Sequence, residues 1–168
     1  MLTAGTFHPS RPSIEDNIVI ERPVADVFAF YSDFRNLPKF LGDVVRVEPA
    51  DSNVWRWTVQ GPFGAKIHWT SVITEREQGR RIFYETSSAM FKTRWEVTFA
   101  EGQTRNETVV YERLFEPGGR LGSFVLAMLG KHPAAEVHSN LHRLKQLIEN
   151  GRVTDLSNAV PGKFHNRR

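Results

Sequence analysis

The sequence feature that most limits the fold is a series of strands with a period of two, followed by one amphipathic helix. Apolar and polar residues alternate in four successive segments separated by short turns, a pattern typical of antiparallel strands with one buried face. After Pro133 the apolar period changes to that of a helix, which ends before Gly151. The alternating segments are residues 53–60, 65–74, 81–86 and 92–100, and the helical face carries Val137, Leu141, Leu144 and Ile148.

A sheet with one apolar face and a helix with one apolar stripe bury both surfaces when the helix packs on the concave side of the sheet. Strands are also predicted at residues 14–21, 44–48 and 105–116, and two short helices follow the first strand. We therefore predict an α+β fold, with a curved antiparallel sheet of six to seven strands around a long C-terminal helix. Because such a sheet curls more than one helix can fill, we expect an apolar cavity inside.

The composition excludes several classes of site. The chain has 168 residues, which suits one domain, and no cysteine, which excludes disulfides, thiolate metal sites and cysteine nucleophiles. The net charge is only +3 and both signs are scattered, so we predict no nucleic-acid partner. No apolar run reaches the roughly 20 residues that cross a bilayer, and the start of the chain has no signal-like apolar core. We expect a cytoplasmic protein without an integral membrane segment.

Both ends of the chain are expected to be flexible. Residues 1–13 have no periodic apolar pattern, and residues 156–168 include Pro161 and Gly162 but little that could pack. The predicted organisation is therefore an N-terminal arm over residues 1–13, a single domain over residues 14–155 and a C-terminal tail over residues 156–168.

Five groups of local motifs accompany this order of elements. They are Arg22-Pro23 with Val27-Phe28, Ser32-Asp33 with Leu37–Phe40, Trp69 with Ser71 and Ile73, Glu116–Gly119 with Leu121-Gly122, and Leu144-Lys145 with Ile148-Glu149 and Gly151. Together they resemble the START/Bet v 1-like helix-grip superfamily, and within it the bacterial polyketide cyclase/dehydrase branch of the SRPBCC group. The resemblance covers Ile14 to about Arg152 and implies the helix-grip fold for the predicted domain.

The resemblance implies more than one class of function, because one fold can carry binding proteins and enzymes alike. The first hypothesis is binding or carriage of a small hydrophobic or aromatic molecule, such as a lipid, a quinone or a polyketide-like compound, in the cavity. The alternative is a polyketide cyclase/dehydratase that needs no cofactor. A third hypothesis is a protein-interaction module that uses the apolar segment Leu121–Leu129.

Aromatic residues dominate the predicted inner face of the sheet. Among them, Trp69, Tyr84 and Trp95 are the candidates for lining the cavity, and the alternative for each is ordinary core packing. A buried tyrosine hydroxyl needs a polar partner, so Tyr84 is also a candidate catalytic or orienting group. Trp95 narrows the cavity and argues against a bulky ligand. The whole set is Trp55, Trp57, Trp69, Tyr84, Trp95 and Phe99.

The predicted strand 105–116 directs at least one charge inward in either of its two phases. If Val110 and Leu114 face the core, Glu112 does too, whereas the opposite phase brings in Glu107 and Arg113. The end of the strand at residues 116–119 favours the first phase. Glu112 is then a candidate polar contact or general acid/base, with a pKa raised by aromatic surroundings. The alternative is an ion pair with an arginine such as Arg94 or Arg113.

Two further features bear on a site. His138 and His142 have the spacing of metal ligands on a helix, but Lys145 and Glu149 continue the same stripe, so we predict a solvated flank and no metal. The segment Leu121–Leu129 is apolar on nearly every side and must be buried, cover the cavity, form a homodimer contact or touch a membrane. We favour a cavity wall and lid. Its predicted contact residues are Phe124 and Met128.

Overall fold

The computed structural model describes residues 12–89, 92–115 and 132–164. Within these residues, two α-helices pack against a sheet of seven strands, and short 3-10 helices lie at Phe34–Lys39 and Pro62–Gly64. The helices are α1 (Val24–Ser32) and α2 (Pro133–Asn150). The strands are β1 (Ile14–Ile20), β2 (Val44–Asp51), β3 (Val54–Gln60), β4 (Lys66–Glu77), β5 (Arg81–Ser87), β6 (Lys92–Glu101) and β7 (Thr108–Phe115).

The sheet is antiparallel throughout and has the strand order β1-β7-β6-β5-β4-β3-β2. Strands β2 to β7 form a continuous meander, and β1 pairs with the last of them. The helix α1 and the 3-10 helix after it therefore connect the two opposite edges of the sheet. This arrangement confirms the predicted α+β helix-grip fold, including its two short helices after the first strand.

The long helix α2 lies on the inner face of the sheet and contacts β1. Its predicted stripe is buried at Val137, Leu141 and Leu144. Pro133 occupies the first helical turn, and Gly151 ends the helix in the left-handed conformation with φ of 71°. The Gly151 amide donates a hydrogen bond to the carbonyl of Leu147, which satisfies one of the helix's last carbonyls. No described helix is long and apolar enough to cross a membrane.

Strand β7 takes the first of the two predicted phases, so Thr108, Val110, Glu112 and Leu114 are buried. The register with β1 explains this phase, because Val110 lies opposite Ile18 and Thr108 lies opposite the buried Ile20. The strand begins at Thr108, later than predicted, since the Gly102 amide donates to the Glu107 carbonyl and closes a turn.

The chain ends differ from the expected flexible segments where the structure describes them. Residues 156–164 pack against the domain rather than leaving it, and the Val160 amide donates to the Gly42 carbonyl at 2.9 Å. The Lys163 ammonium bonds the carbonyls of Leu41 and Val44. These contacts hold the described C-terminal residues against the domain, which composition alone does not predict. At the other end, Ser13 of the expected arm pairs with Leu114.

Candidate functional site

A cavity of about 120 Å³ lies between the inner face of the sheet and α2. Its floor consists of inward residues of β3 to β7, and the N-terminal half of α2 borders it together with the segment after the first 3-10 helix. The described lining residues are Tyr31, Leu41, Asp43, Val44, Trp57, Val59, Ile67, Trp69, Tyr84, Thr86, Thr93, Trp95, Glu112, Leu114, Pro133, Glu136, Val137 and Asn140.

One wall of the cavity is a row of nearly parallel aromatic rings. The Trp57 ring lies 6.3 Å from Trp69 and 6.3 Å from Tyr84, and the Tyr84 ring lies 6.2 Å from Trp95, measured between ring centroids. Two of these contacts are cross-strand pairs, since Trp57 lies opposite Trp69 and Tyr84 lies opposite Trp95. The period of two along each strand therefore builds a continuous aromatic surface on the inner face.

Glu112 is the charged residue on the floor of the cavity, and it is only 4% exposed. The Tyr31 hydroxyl donates a hydrogen bond of 2.7 Å to Glu112 Oε1. Helix α1 brings this tyrosine to the cavity because its apolar face packs on the sheet, where the Tyr31 ring lies 5.6 Å from Phe99 and 5.7 Å from Phe40. The hydroxyl is thus held rigidly against the carboxylate.

The environment of Glu112 raises its pKa to about 7. Burial is the main cause, because it disfavours the charged form, and the neighbouring carboxylate of Asp16 adds to the effect. The hydrogen bond from Tyr31 acts in the opposite direction. Burial and the proximity of Glu112 also raise the pKa of both Tyr31 and Tyr84, so these hydroxyls keep their protons. Near neutral pH, Glu112 can therefore both accept and donate a proton beside the cavity.

Hydroxyl groups satisfy polar atoms elsewhere on the inner face. The Trp57 indole N–H donates to Ser71 Oγ at 2.8 Å, and the Trp95 indole N–H donates to Thr93 Oγ1 at 3.2 Å. Thr86 and Thr93 also bond each other across β5 and β6. Small polar residues thus provide acceptors for the indole N–H groups of Trp57 and Trp95.

The arginines considered as partners of Glu112 have other partners. Arg94 Nε lies 2.9 Å from Glu85 Oε1, and Arg113 bonds Glu15 at 2.7 Å on the outer face of the sheet. Within the part of the chain that the structure describes, Glu112 contacts no arginine or lysine, and its side-chain hydrogen bond comes from Tyr31. The ion-pair alternative for Glu112 is therefore wrong for these residues.

With this geometry in place, comparison with known proteins identifies the family. The model of the family described as polyketide cyclase/dehydrase and lipid transport matches residues 11–149. The chain belongs to this family. The match confirms the resemblance found in the sequence. No curated protein matches the chain.

Solved structures with the same fold include members from several bacteria. The protein DR_A0006 from Deinococcus radiodurans is 25% identical, with a TM-score of 0.63 over 82% of this chain and 98% of its own. Ms6760 from Mycobacterium smegmatis is 16% identical, with a TM-score of 0.66 over 81% of this chain and 90% of its own. The di-domain ARO/CYC protein StfQ of the steffimycin biosynthetic pathway is 18% identical, with a TM-score of 0.59 over 79% of this chain. The alignment spans 49% of StfQ.

The structure brings together four of the candidate site residues that the sequence predicted. Trp69, Tyr84, Trp95 and Glu112 all line the one cavity, although they come from four different strands. Phe124 and Met128, the predicted lid contacts, lie outside the described residues, as does the rest of the segment 121–129.

The two spaced histidines lie on α2, and neither is among the described residues that line the cavity. His138 Nδ1 is 2.8 Å from Asp16 Oδ2, and the His138 and His142 rings are 4.5 Å apart. Among the described residues, no cluster of three or more histidine or acidic side chains has the geometry to hold a metal ion.

Two residues on which the site depends, Tyr31 and Trp57, were not singled out from the sequence. Periodicity places Trp57 on the inner face but does not choose it as a lining residue, and it gives Tyr31 no role in the site. A signal for Tyr31 existed, because a tyrosine on a fully apolar helix face needs a partner for its hydroxyl. Its partner, Glu112, is 81 residues away in the chain, so periodicity alone could not identify the pair.

Proposed function

We propose that the protein binds a small hydrophobic or aromatic molecule in the cavity between the sheet and α2. The observation that carries this proposal is the cavity of about 120 Å³ walled by Trp57, Trp69, Tyr84 and Trp95. Apolar walls with few polar groups are typical of small-molecule sites. Membership in a family of polyketide cyclases/dehydrases and lipid-transport proteins supports a role in binding or cyclising such a molecule.

The size of the cavity favours a ligand with one ring. A cavity of about 150 Å³ in another protein is large enough for benzene, and the hollow here is of similar size. Within the described residues this supports a compact ligand rather than a long acyl chain. The stacking of Trp95 on Tyr84, which narrows the hollow at β5 and β6, is consistent with the same limit.

Binding of toluene, measured by isothermal titration calorimetry, tests the proposal with a matched pair of variants. Ile67 lines the cavity from β4, whereas Val72 lies on the opposite face of the same strand and is 42% exposed. Ile67→Trp is expected to weaken toluene binding at least tenfold by filling the hollow, and Val72→Trp is expected to leave it unchanged.

Circular dichroism of each variant shows whether it is folded, and the smaller substitution Ile67→Phe replaces Ile67→Trp if the latter does not fold. Absence of toluene binding to the wild-type protein, or equal binding by the folded Ile67 variant, overturns the proposal. Mass spectrometry of molecules that copurify with the protein then identifies the natural class of ligand.

A second function, cofactor-independent cyclisation or dehydration of a poly-keto substrate, is favoured by the pairing of Glu112 with Tyr31 in the cavity. A carboxylate with a pKa of about 7 can take a proton from the carbon between two carbonyls, and the hydroxyl of Tyr84 can donate a hydrogen bond to the resulting enolate oxygen. Attack of this carbon on a further carbonyl of the substrate forms the ring bond and breaks the π bond of that carbonyl, and Glu112 returns its proton to the resulting alkoxide. The general base is worth roughly 100-fold or more in rate.

Glu112→Gln separates the two functions. If the protein is an enzyme, this variant loses turnover of a short poly-keto thioester by about 100-fold while it keeps toluene binding. If the protein only binds its ligand, neither the wild type nor the variant turns the thioester over. Turnover that is equal in both proteins excludes Glu112 as the base.

A further inference from the structure

The charge of the cavity lining is uneven. Its charged side chains in the described part of the chain are all acidic, namely Asp43, Glu112 and Glu136. The guanidinium of Arg143 lies close enough to Asp43 and Glu136 to interact with both, and thereby offsets their charge. Among the described residues, Glu112 is therefore the acidic group of the lining whose charge no cation offsets.

Glu112 also has acceptor capacity that the protein does not use. A carboxylate can accept about four hydrogen bonds, and among the described residues the side chain of Glu112 accepts one, from Tyr31. Within the described residues it has neither an arginine nor a lysine partner. A buried carboxylate of this kind is costly unless a donor, preferably a cation, approaches it.

The aromatic row on the strands beside β7 suits the organic part of such a donor. Aromatic rings pack favourably on one another in offset-stacked or edge-to-face arrangements. Trp57, Tyr84 and Trp95 form a row in the same cavity as Glu112. A ring with a short aminoalkyl group fits both the aromatic wall and the size of the hollow.

We infer that the cavity selects a one-ring aromatic amine in its ammonium form, with the ammonium bound by the carboxylate of Glu112. The inference rests on the proposed function, because it assigns a ligand class to the same cavity. It excludes carboxylate ligands, such as fatty acids and aromatic acids, from tight binding, because their charge repels Glu112.

The preference depends on pH through Glu112. The titratable groups that face it are Tyr31 from α1, Tyr84 from β5 and Asp16 from β1, and Asp16 in turn contacts His138 of α2. A bound ammonium stabilises the carboxylate form, so its binding near pH 7 releases a proton from Glu112. Neutral ligands release none. The advantage of an amine over a neutral ligand therefore increases as the pH rises from 6 to 8.

Three probes of equal size test the inference on the intact chain: benzylamine, benzyl alcohol and benzoate, each titrated by calorimetry at pH 6 and pH 8. We expect benzylamine to bind at least tenfold more tightly than benzyl alcohol at pH 8, and benzoate at least tenfold more weakly. Titrations at pH 7 in two buffers of different ionisation enthalpy measure the proton release.

Two variants complete the test. Glu112→Gln is expected to bring benzylamine and benzyl alcohol to within threefold of each other, whereas Glu85→Gln, which removes a carboxylate from the outer face of β5, is expected to keep the amine preference. Benzoate binding as tight as that of benzyl alcohol overturns the inference, and so does an amine preference that survives in Glu112→Gln. If toluene and benzyl alcohol bind but benzylamine has no advantage, the inference fails and the proposed binding function stands. If no probe binds, the proposed function fails.

Discussion

Glu112 and Arg143 are both charged and buried, but their surroundings differ. Arg143, on α2, has no exposed surface and donates Nε to the Phe40 carbonyl at 2.7 Å. Its other nitrogens bond the Ser157 carbonyl and Asn140 Oδ1, and its guanidinium lies 5.1 Å from the centre of the Phe164 ring. Glu112 faces the cavity and, in the part of the chain that the structure describes, has one side-chain hydrogen bond, from Tyr31.

The difference shows how to distinguish a structural buried charge from a functional one. Arg143 uses its donors on carbonyls of segments far apart in the chain, so its charge holds the C-terminal segment against the turn after the first 3-10 helix. Burial lowers its pKa, while the carboxylates of Asp155, Asp43 and Glu136 raise it, and the group stays charged. The charge of Glu112 is not balanced in this way, which is typical of groups that meet a ligand or a proton.

The largest predicted effect tests the structural role of Arg143. Arg143→Met keeps the apolar stem but leaves the carbonyls of Phe40 and Ser157 without partners. Since an orphaned buried acceptor costs about 1–3 kcal/mol, we expect the free energy of unfolding to fall by roughly 4 kcal/mol. Urea denaturation followed by tryptophan fluorescence measures it.

Arg152→Met is the control for this variant, because Arg152 is exposed just beyond the same helix. It is expected to change the free energy of unfolding by less than about 0.5 kcal/mol. Equal effects of the two substitutions would show that Arg143 does not hold the C-terminal segment.

The second-largest effect is the contribution of Glu112 to the pH dependence of the free energy of unfolding. Its pKa is about 7 in the folded protein against 4.5 as the ordinary value, so the folded state holds more protons than the unfolded state between these pH values. The contribution of Glu112 to the free energy of unfolding is therefore largest below pH 4.5. It falls by about 3 kcal/mol in total as the pH rises to 7.

Comparing Glu112→Gln with the wild type isolates this contribution, since their other groups titrate alike. We expect the variant to gain about 3 kcal/mol relative to the wild type between pH 4 and pH 8 in urea denaturation. A difference that stays constant with pH would mean that Glu112 titrates as an exposed carboxyl does.

The smallest effect concerns Tyr31. Its hydrogen bond lowers the pKa of Glu112, so Tyr31→Phe should move the titration midpoint of that carboxyl above about 7. The loss of one hydrogen bond should also lower the free energy of unfolding by about 1 kcal/mol. Carboxyl carbon chemical shifts of selectively labelled glutamate follow the titration. An unchanged midpoint would show that the Tyr31 hydroxyl does not affect the pKa of Glu112.

Much of the fold could be predicted from the sequence because its signals are local. The alternation in β3 to β6 and the stripe of Val137, Leu141 and Leu144 each depend on residues a few positions apart, so periodicity gave both the elements and their buried faces. The inward direction of Glu112 followed in the same way, since its neighbours Val110 and Leu114 belong to one face of a strand.

The partners of the buried groups were decided only by tertiary structure. Tyr31 meets Glu112 because the chain returns at β7 to pair with β1, the strand that α1 follows, and the two residues are 81 positions apart. Arg143 lies in the middle of an otherwise ordinary helix, and its role depends on the chain returning at Ser157. The volume of the cavity likewise depends on how far the whole sheet curves and on how much of the enclosed space the side chains fill. Such quantities depend on distances between remote segments, which a local pattern does not contain.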